Sequence, residues 1–275
     1  MKRTSDAPSG KGMEKLSKIK EGILEAVFPS DLYCVRCGRI IDRSRYYGLC
    51  DSCSSGIRWA SGTFCEKCGR LLGDGGARIC ADCMNSERYF DKGYTCAFYG
   101  VYAREIMSAL KVGKKSWIGR KLGKAMADRM ALTDEEPDLA VPVPAHIKKE
   151  KERGYNQASV IARQFSESLR EKKAGKTESL GPLYFEALVR SRQTAPMKGL
   201  SLWARRENML GAVSVKKDAA GMIRGKTIAL IDDIMTTGST LSECARVLKE
   251  AGAGRIIAVT FASGGDMGVY EREEK

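Results

Sequence analysis

The apolar positions predict one short isolated helix and then a long alternation of strands and helices. Leu16, Ile19, Ile23 and Val27 recur at helical spacing within residues 13–27, with Lys and Glu on the opposite face. That pattern is a short amphipathic helix ended by Phe28-Pro29. Beyond the cysteine-rich stretch, Thr95–Val101 reads as a strand, and Ala103–Lys111 and Ile118–Met130 read as helices. Asp138–Val143 is an apolar strand closing on Pro residues. Tyr155–Lys173 reads as one long helix with Ile161, Ala162, Phe165 and Leu169 on one face. A polar connector, Lys172–Pro182, leads to a strand at Tyr184–Arg190. Thr227–Asp232 and Ile256–Phe261 are uninterrupted apolar runs, as expected of parallel strands buried on both faces. Between them Gly238–Ala251 is a helix with Leu241, Ala245 and Leu248 inward. The alternation predicts an α/β fold: an open, mostly parallel sheet with helices on both faces. Residues 266–275, ending in EREEK, read as a frayed tail. The expected organisation is a tail and helix (1–28), a cysteine-rich module (29–92), an α/β domain (93–265) and a C-terminal tail (266–275).

Composition narrows the class. The chain has 275 residues, is 43% hydrophobic and 29% charged, and can bury a core of its own. No apolar run approaches the roughly 18–20 residues of a membrane span, and Met1–Gly12 is basic and polar, unlike a secretory signal. A cytoplasmic location follows as the expectation. One histidine makes histidine-rich metal sites and most histidine-based catalysis poor explanations. His146 has no Asp, Cys or Ser partner arrangement and reads as plain structure. The net charge of +13 leaves an excess of cations to explain.

Eight of the ten cysteines form four C-x-x-C pairs: Cys34/Cys37, Cys50/Cys53, Cys65/Cys68 and Cys80/Cys83. They make an internal repeat, CVRCGRII…GLCDSC followed 31 residues later by CEKCGRLL…RICADC. A disulfide framework fits poorly without an export signal. Thiolates two residues apart can share a tetrahedral zinc, and a second pair closes its shell. All eight positions would be cysteine, so no coordination position stays open, and the expectation is two structural zinc ions. Each unit could close its own site, or the two units could interleave. Gly38 and Gly69 allow tight turns in which backbone N–H groups face the sulfurs. Cys96 and Cys244 stand alone and read as buried small hydrophobes.

The stretch IALIDDIMTTGST (228–240) carries the most specific chemistry. A buried strand ends in Asp232-Asp233, a loop of hydroxyl residues and glycine follows, and a helix starts. In an open α/β sheet ligands bind at the carboxyl ends of the strands, and a helix N-terminus favours an anion. Thr236, Thr237, Gly238, Ser239 and Thr240 suit a phosphate, whereas the two carboxylates suit sugar hydroxyls or a magnesium ion. After the Pro-closed strand, Lys148, Lys149, Lys151 and Arg153 form a basic turn. Arg190, Arg192, Lys198, Arg205 and Arg206, with Trp203 between them, form a second basic segment.

The 228–240 stretch resembles the phosphoribosyl-pyrophosphate (PRPP) motif of type I phosphoribosyltransferases. FPSDLYCVRCGR, YGVYAREIMSALKVG, VPVPAHIKKEKERGYNQA and RSRQTAPMKGLSLWARRENMLGAV precede it in the order seen in the ComF family of late competence proteins. The resemblance covers nearly the whole chain. It implies a double zinc ribbon ahead of a phosphoribosyltransferase-like domain. It also implies that Asp232 and Asp233 hold the ribose hydroxyls, with magnesium as companion ion, and that Thr236–Thr240 holds the 5′-phosphate. By resemblance the turn holding Lys148, Lys149 and Arg153 is the pyrophosphate loop, Arg190 and Arg192 belong to a lid, and Lys111 lies near the ligand. The implied partners are PRPP, single-stranded DNA and competence or recombination proteins, and the implied place is the cytoplasm, with peripheral association to a membrane DNA-uptake machine. Met197 departs from the Gln common in the family. Tyr33, Tyr46, Tyr47, Trp59 and Phe64 lie beside basic residues of the zinc module, where bases could stack, although burial in its core accounts for most aromatics in so small a module.

Elemental analysis of protein purified under reducing conditions is expected to find two zinc ions per chain, and Cys65→Ser is expected to remove one of them. Zinc-free purified protein would contradict the assignment.

Overall fold

The computed structural model describes residues 32–42, 44–72, 76–112, 115–174, 181–192, 194 and 202–264. The helix expected over 13–27, the tail after 265, and Met197 and Lys198 lie outside them. Single helical turns α1 (Asp51–Ser55) and α2 (Ala81–Met84) follow the third cysteine of each repeat. Then come β1 (Lys92–Phe98), α3 (Val101–Lys111), α4 (Ser116–Ala131), β2 (Leu139–Pro142), α5 (Ile147–Arg153), α6 (Gln157–Lys173), β3 (Leu183–Tyr184), β4 (Leu188–Arg190), α7 (Leu202–Met209), β5 (Val213–Val215), α8 (Ala220–Ile223), β6 (Thr227–Met235), α9 (Ser239–Glu250) and β7 (Arg255–Ser263). Five strands form one sheet in the order β1-β7-β6-β2-β3, every neighbouring pair parallel. β4 and β5 pair separately as an antiparallel ribbon.

The apolar runs of β6 and β7 form strands because both faces are covered. Side chains alternate across a sheet. Ala229, Ile231, Ile257, Val259 and Phe261 face a core built with α3, α4 and α6. Ile228, Leu230, Ile256 and Ala258 face the other, built with α9 and the β4–β5 ribbon. Gly123 lets α4 lie against α6, since a Cβ there would sit 2.5 Å from the Ile161 carbonyl oxygen.

The two halves of the cysteine repeat divide between these faces. Cys34, Cys50 and Cys53 belong to the first core, and Cys65, Cys68 and Cys80 to the second. The chain passes between them along the free edge of β1. Ala60 N–H donates to the Cys96 carbonyl at 2.7 Å and Phe98 N–H to the Arg58 carbonyl at 2.8 Å, which caps an otherwise open edge. Trp59 stacks edge-on against Phe261 at 6.2 Å and packs on Tyr47 at 5.4 Å, and the Tyr47 hydroxyl donates to Asp128 of α4 at 2.9 Å. On the second side Gly69 is pressed on Gly93. Its φ is +72°, and a Cβ would lie 2.2 Å from the Gly93 carbonyl oxygen, so both backbone shape and space require glycine. The ribbons are therefore part of the sheet's own packing.

Four elements differ from the sequence expectation. β1 begins earlier and ends at Phe98, because Gly100 caps α3. The long helix starts two residues late, at Gln157, because Asn156 caps α6 by accepting from Ala158 N–H at 3.1 Å, and the basic turn before it is a short helix, α5, which ends at Gly154 in the left-handed region (φ +88°). The single strand expected at Tyr184–Arg190 is split between the main sheet and the β4–β5 ribbon. β6 runs on to Met235, so Asp232 and Asp233 lie within the strand and not beyond its end.

Candidate functional site

The sheet order reverses between β2 and β6, whose following strands, β3 and β7, lie on opposite sides of them. A crevice opens at such a switch point, outside the carboxyl ends of the strands. Here β6 is the longer strand. Its ladder with β2 ends at Pro142↔Ile231, while its ladder with β7 continues to Met235↔Ser263. Asp232–Met235 therefore borders a notch on the β2 side.

Asp233 is buried at 4% exposure and pairs through Oδ2 with the Lys111 ammonium, at the end of α3, at 2.7 Å. Backbone N–H groups turn the carboxylates back on the strand: Asp233 N–H donates to Asp232 Oδ1 and Ile234 N–H to Asp233 Oδ1, each at 2.9 Å. Desolvation and then the neighbouring Asp233 charge push the Asp232 carboxyl well above the usual carboxylate range, with Lys111 opposing. Burial works against the charge on Lys111, but Asp233 outweighs it and holds the ammonium above its ordinary range.

After Met235 the chain turns through Thr236, Thr237 and Gly238 into α9. Gly238 has φ +73° at the N-cap position. The Thr237 and Ser239 hydroxyls lie 2.9 Å apart. A small pocket is lined by Asp232, Ile234, all of Thr236–Thr240 and Arg205 of α7, and the Arg205 guanidinium donates to the Thr236 hydroxyl at 3.4 Å. The N-terminus of a twelve-residue helix thus opens into a pocket edged by hydroxyls.

A second group of cations converges beside the acids. Lys149 of α5 has its pKa pulled down by desolvation and then by the positive charges of Arg190, Arg153 and Lys111. Arg190 is likewise lowered, by burial first, against the attraction of Asp232. Like charges gathered from α3, α5 and β4 raise one another's energy and are relieved by a polyanion. The structure brings together Asp232, Asp233, Lys111, Lys149, Arg153 and Arg190. Lys148 is exposed on α5, and Arg192 is turned to the carbonyls of Asn208 (3.1 Å) and Leu210 (3.0 Å). The turn expected to carry the lysines is the helix α5. Its cap is His146, whose Nδ1 accepts from Lys148 N–H at 3.2 Å, a structural role. The RGYNQ run is partly architectural: Arg153 donates to Gln157 at 2.7 Å, the Tyr155 hydroxyl to the Leu110 carbonyl at 2.5 Å, and the Asn156 amide to the Val143 carbonyl at 3.1 Å. These contacts fix the ends of α3 and β2 on which Lys111 and the notch depend.

Each repeat unit closes its own four-cysteine cluster: Cys34, Cys37, Cys50 and Cys53 in one, Cys65, Cys68, Cys80 and Cys83 in the other, with each set of sulfurs within 4.8 Å of one another. Four 2.3 Å zinc–sulfur bonds in a tetrahedron set sulfurs about 3.8 Å apart. Cys37–Cys50 (3.8 Å) and Cys68–Cys80 (3.7 Å) match that edge, so the clusters fit two structural zinc ions. Amides that face sulfurs include those of Cys50 (to Cys34, 3.4 Å) and Cys80 (to Cys65, 3.3 Å), while Gly38 and Gly69 N–H go to the Cys34 and Cys65 carbonyls. Cys96 and Cys244 are buried, and burial pushes the Cys96 thiol up to about 12, which keeps it an inert apolar group.

Sequence reading missed Arg70 and Arg88 of the second ribbon. Arg70 donates to the Thr236 carbonyl, 166 positions away, and the Arg88 guanidinium packs on Gly238. Arg70 stands where Arg39 stands in the first unit, so the repeat itself gave no sign of a special role.

Residues 23–84 match the double zinc ribbon domain, and residues 185–273 match the phosphoribosyl transferase domain, a span that includes the acid pair, the loop and α9. Competence protein F of Haemophilus influenzae is 29% identical over 216 residues, covering 76% of this chain and 87% of that protein. DNA utilization protein YhgH of Escherichia coli K12 is 26% identical, covering 77% and 88%. Competence protein ComFC of Bacillus subtilis is 25% identical, covering 74% and 79%.

An acid whose pKa is higher in the folded than in the unfolded chain costs stability once pH rises above its unfolded value. Asp232→Asn keeps the Oδ1 acceptor and removes that cost. The variant is expected to be more stable than the parent near pH 8, with the gain shrinking toward zero near pH 4, in urea denaturation followed by circular dichroism. An equal difference at both pH values would contradict the placement of a partly desolvated Asp232 beside the Asp233 charge.

Proposed function

Because the chain belongs to the ComF family, a double zinc ribbon joined to a phosphoribosyltransferase domain, we propose that it binds PRPP with magnesium and acts in the handling of DNA. The observation that carries the ligand is the spacing of unlike demands in one crevice. The Thr236–Thr240 loop and the start of α9 favour an anion, the Lys149–Arg153–Arg190 group favours a second, and between them stand two carboxylates that repel anions and accept hydroxyls. A sugar phosphorylated at one end and pyrophosphorylated at the other meets all three. In this reading the 5′-phosphate takes the loop, the ribose 2′- and 3′-hydroxyls take Asp232 and Asp233, and the pyrophosphate takes the cations. Lys111 pairs with Asp233 and holds its carboxylate in place as an acceptor. The carboxylate oxygens are hard donors suited to magnesium. The ion would neutralise the pyrophosphate.

The DNA role is supported by the charge of +13, by the names of the relatives and by the first ribbon's surface. Tyr33 (44% exposed) and Tyr46 (77% exposed) are open to stacking, whereas Tyr47 and Trp59 are occupied in packing. The alternative reading is a magnesium-dependent transferase with no DNA role. In it a nitrogen nucleophile bonds to C1 of PRPP as the C1–oxygen bond breaks, the bonding pair leaves with pyrophosphate, and the nitrogen proton passes to solvent.

PRPP with magnesium is expected to raise the thermal midpoint, and Asp232→Asn with Asp233→Asn to weaken binding at least about 100-fold, since hydrogen bonds to charged groups contribute roughly 1.5–3 kcal/mol each. No shift with the parent protein would sink the PRPP reading. Single-stranded DNA affinity is expected to fall steeply with salt. Pyrophosphate release with one particular acceptor, and no DNA affinity, would favour the transferase.

A further inference from the structure

The link between the second zinc ribbon and β1 runs directly behind the phosphate loop. Arg70 is 5% exposed and carries its charge inside the protein. One guanidinium nitrogen pairs with Asp82 of α2 at 2.8 Å and another donates to the carbonyl of Thr236, the first loop residue. The same guanidinium is electrostatically in touch with Cys68 and Cys80. Arg88 lies five residues after Cys83, and its Nη1 would lie 3.2 Å from a Cβ on Gly238. Next to it, Tyr89 N–H donates to the Ser242 hydroxyl in the first turn of α9 at 3.3 Å. Two arginines of the second ribbon, Arg70 held by Asp82 and Arg88 just beyond Cys83, thus meet the loop at its first and third residues.

Charge gives this arrangement a consequence. A zinc ion with four thiolates carries a net charge of −2, and together with Asp82 it makes an anionic neighbourhood for the Arg70 and Arg88 guanidinium groups. Zinc ties the two Cys-x-x-Cys turns into one rigid unit, on which Asp82, next to Cys83, and with it Arg70 are held; without the ion that unit loosens, and with it the footing of Arg70 and Arg88. Their contacts to Thr236 and Gly238 then have no fixed base. The first ribbon is built differently. Arg36 reaches Cys53 at 3.6 Å but turns to Glu105 and the Tyr102 ring of α3, away from the loop.

We propose that the second zinc centre is a positioning element of the ligand site, with Arg70 and Arg88 as the residues that transmit metal occupancy to the Thr236–Thr240 loop. The inference rests on the reading of that loop as a phosphate site. By linkage, metal and phosphate ligand each strengthen the binding of the other.

Hydrogen–deuterium exchange of the full-length, zinc-loaded chain tests it without requiring any ligand. In Arg70→Lys with Arg88→Gln at two zinc ions per chain, the peptide spanning Thr236–Thr240 is expected to exchange roughly tenfold faster, the loss of one charge-assisted hydrogen bond, while Ile256–Phe261 keeps its protection. Where that variant does not fold, stepwise zinc removal from the parent by a chelator reads the same coupling: loop protection falls with the second metal site. Loop exchange unchanged in the folded variant, or unchanged through zinc removal, overturns the proposal. Adding PRPP and magnesium to the parent separates the two ideas, since absence of ligand protection at the loop removes the PRPP reading alone.

Discussion

Asp232 and Asp233 are held near the end of a central strand, Asp233 buried and Asp232 half-buried, with the half-buried Lys111 ammonium paired to Asp233. Two adjacent carboxylates so little solvated repel each other, and the Asp232 carboxyl resists ionisation. Much of the surrounding architecture answers that problem. Lys111 is delivered by the end of α3, which the Tyr155 hydroxyl fixes through the Leu110 carbonyl. The neighbouring amides of Asp233 and Ile234 turn toward the carboxylates. Lys149, Arg153 and Arg190 gather close by, from elements that would otherwise keep like charges apart. The free protein thus holds an acid pair and a cation cluster side by side, each partly uncompensated. Such strain between charges is characteristic of ligand sites, where it is relieved by the molecule that binds.

The zinc ribbons belong to this arrangement and are not an appendage. One covers each face of the sheet, and the chain that joins them seals the edge of β1. Zinc makes this economical in sequence, since a closed four-cysteine site specifies a small rigid unit without a large apolar core. The two units have the same local pattern, yet only the second reaches the loop. Their difference comes from which face of the sheet each occupies, not from the ligand set.

Much of this was legible in the sequence. The apolar runs at 228–231 and 256–261 announced buried parallel strands because nothing else accommodates β-rich stretches without a polar face. The cysteine spacing announced two clusters, and the acid pair with its hydroxyl loop announced where the chain forms a pocket at the end of β6. What stayed hidden was local chain-breaking and long-range contact. The basic segment 147–153 has no apolar face to mark it, yet it forms the short helix α5, which ends at Gly154 in the left-handed region. The segment at 184–190 has strand composition throughout, but its middle leaves the sheet to start the β4–β5 ribbon, a decision made by tertiary packing. Arg70 and Arg88 look like ordinary basic residues near cysteines. Only the fold shows that they lie between a metal cluster and the loop of residues 236–240.

The central claim is that one crevice at the end of β6 takes a phosphorylated ribose by both ends. A crystal structure of the zinc-loaded chain with PRPP and magnesium tests it most directly. The account predicts the 5′-phosphate within hydrogen-bonding reach of Thr237–Thr240, ribose hydroxyls on Asp232 and Asp233, and pyrophosphate oxygens facing Lys149, Arg153 and Arg190. Ligand density elsewhere on the chain, with this crevice holding only solvent, would contradict it.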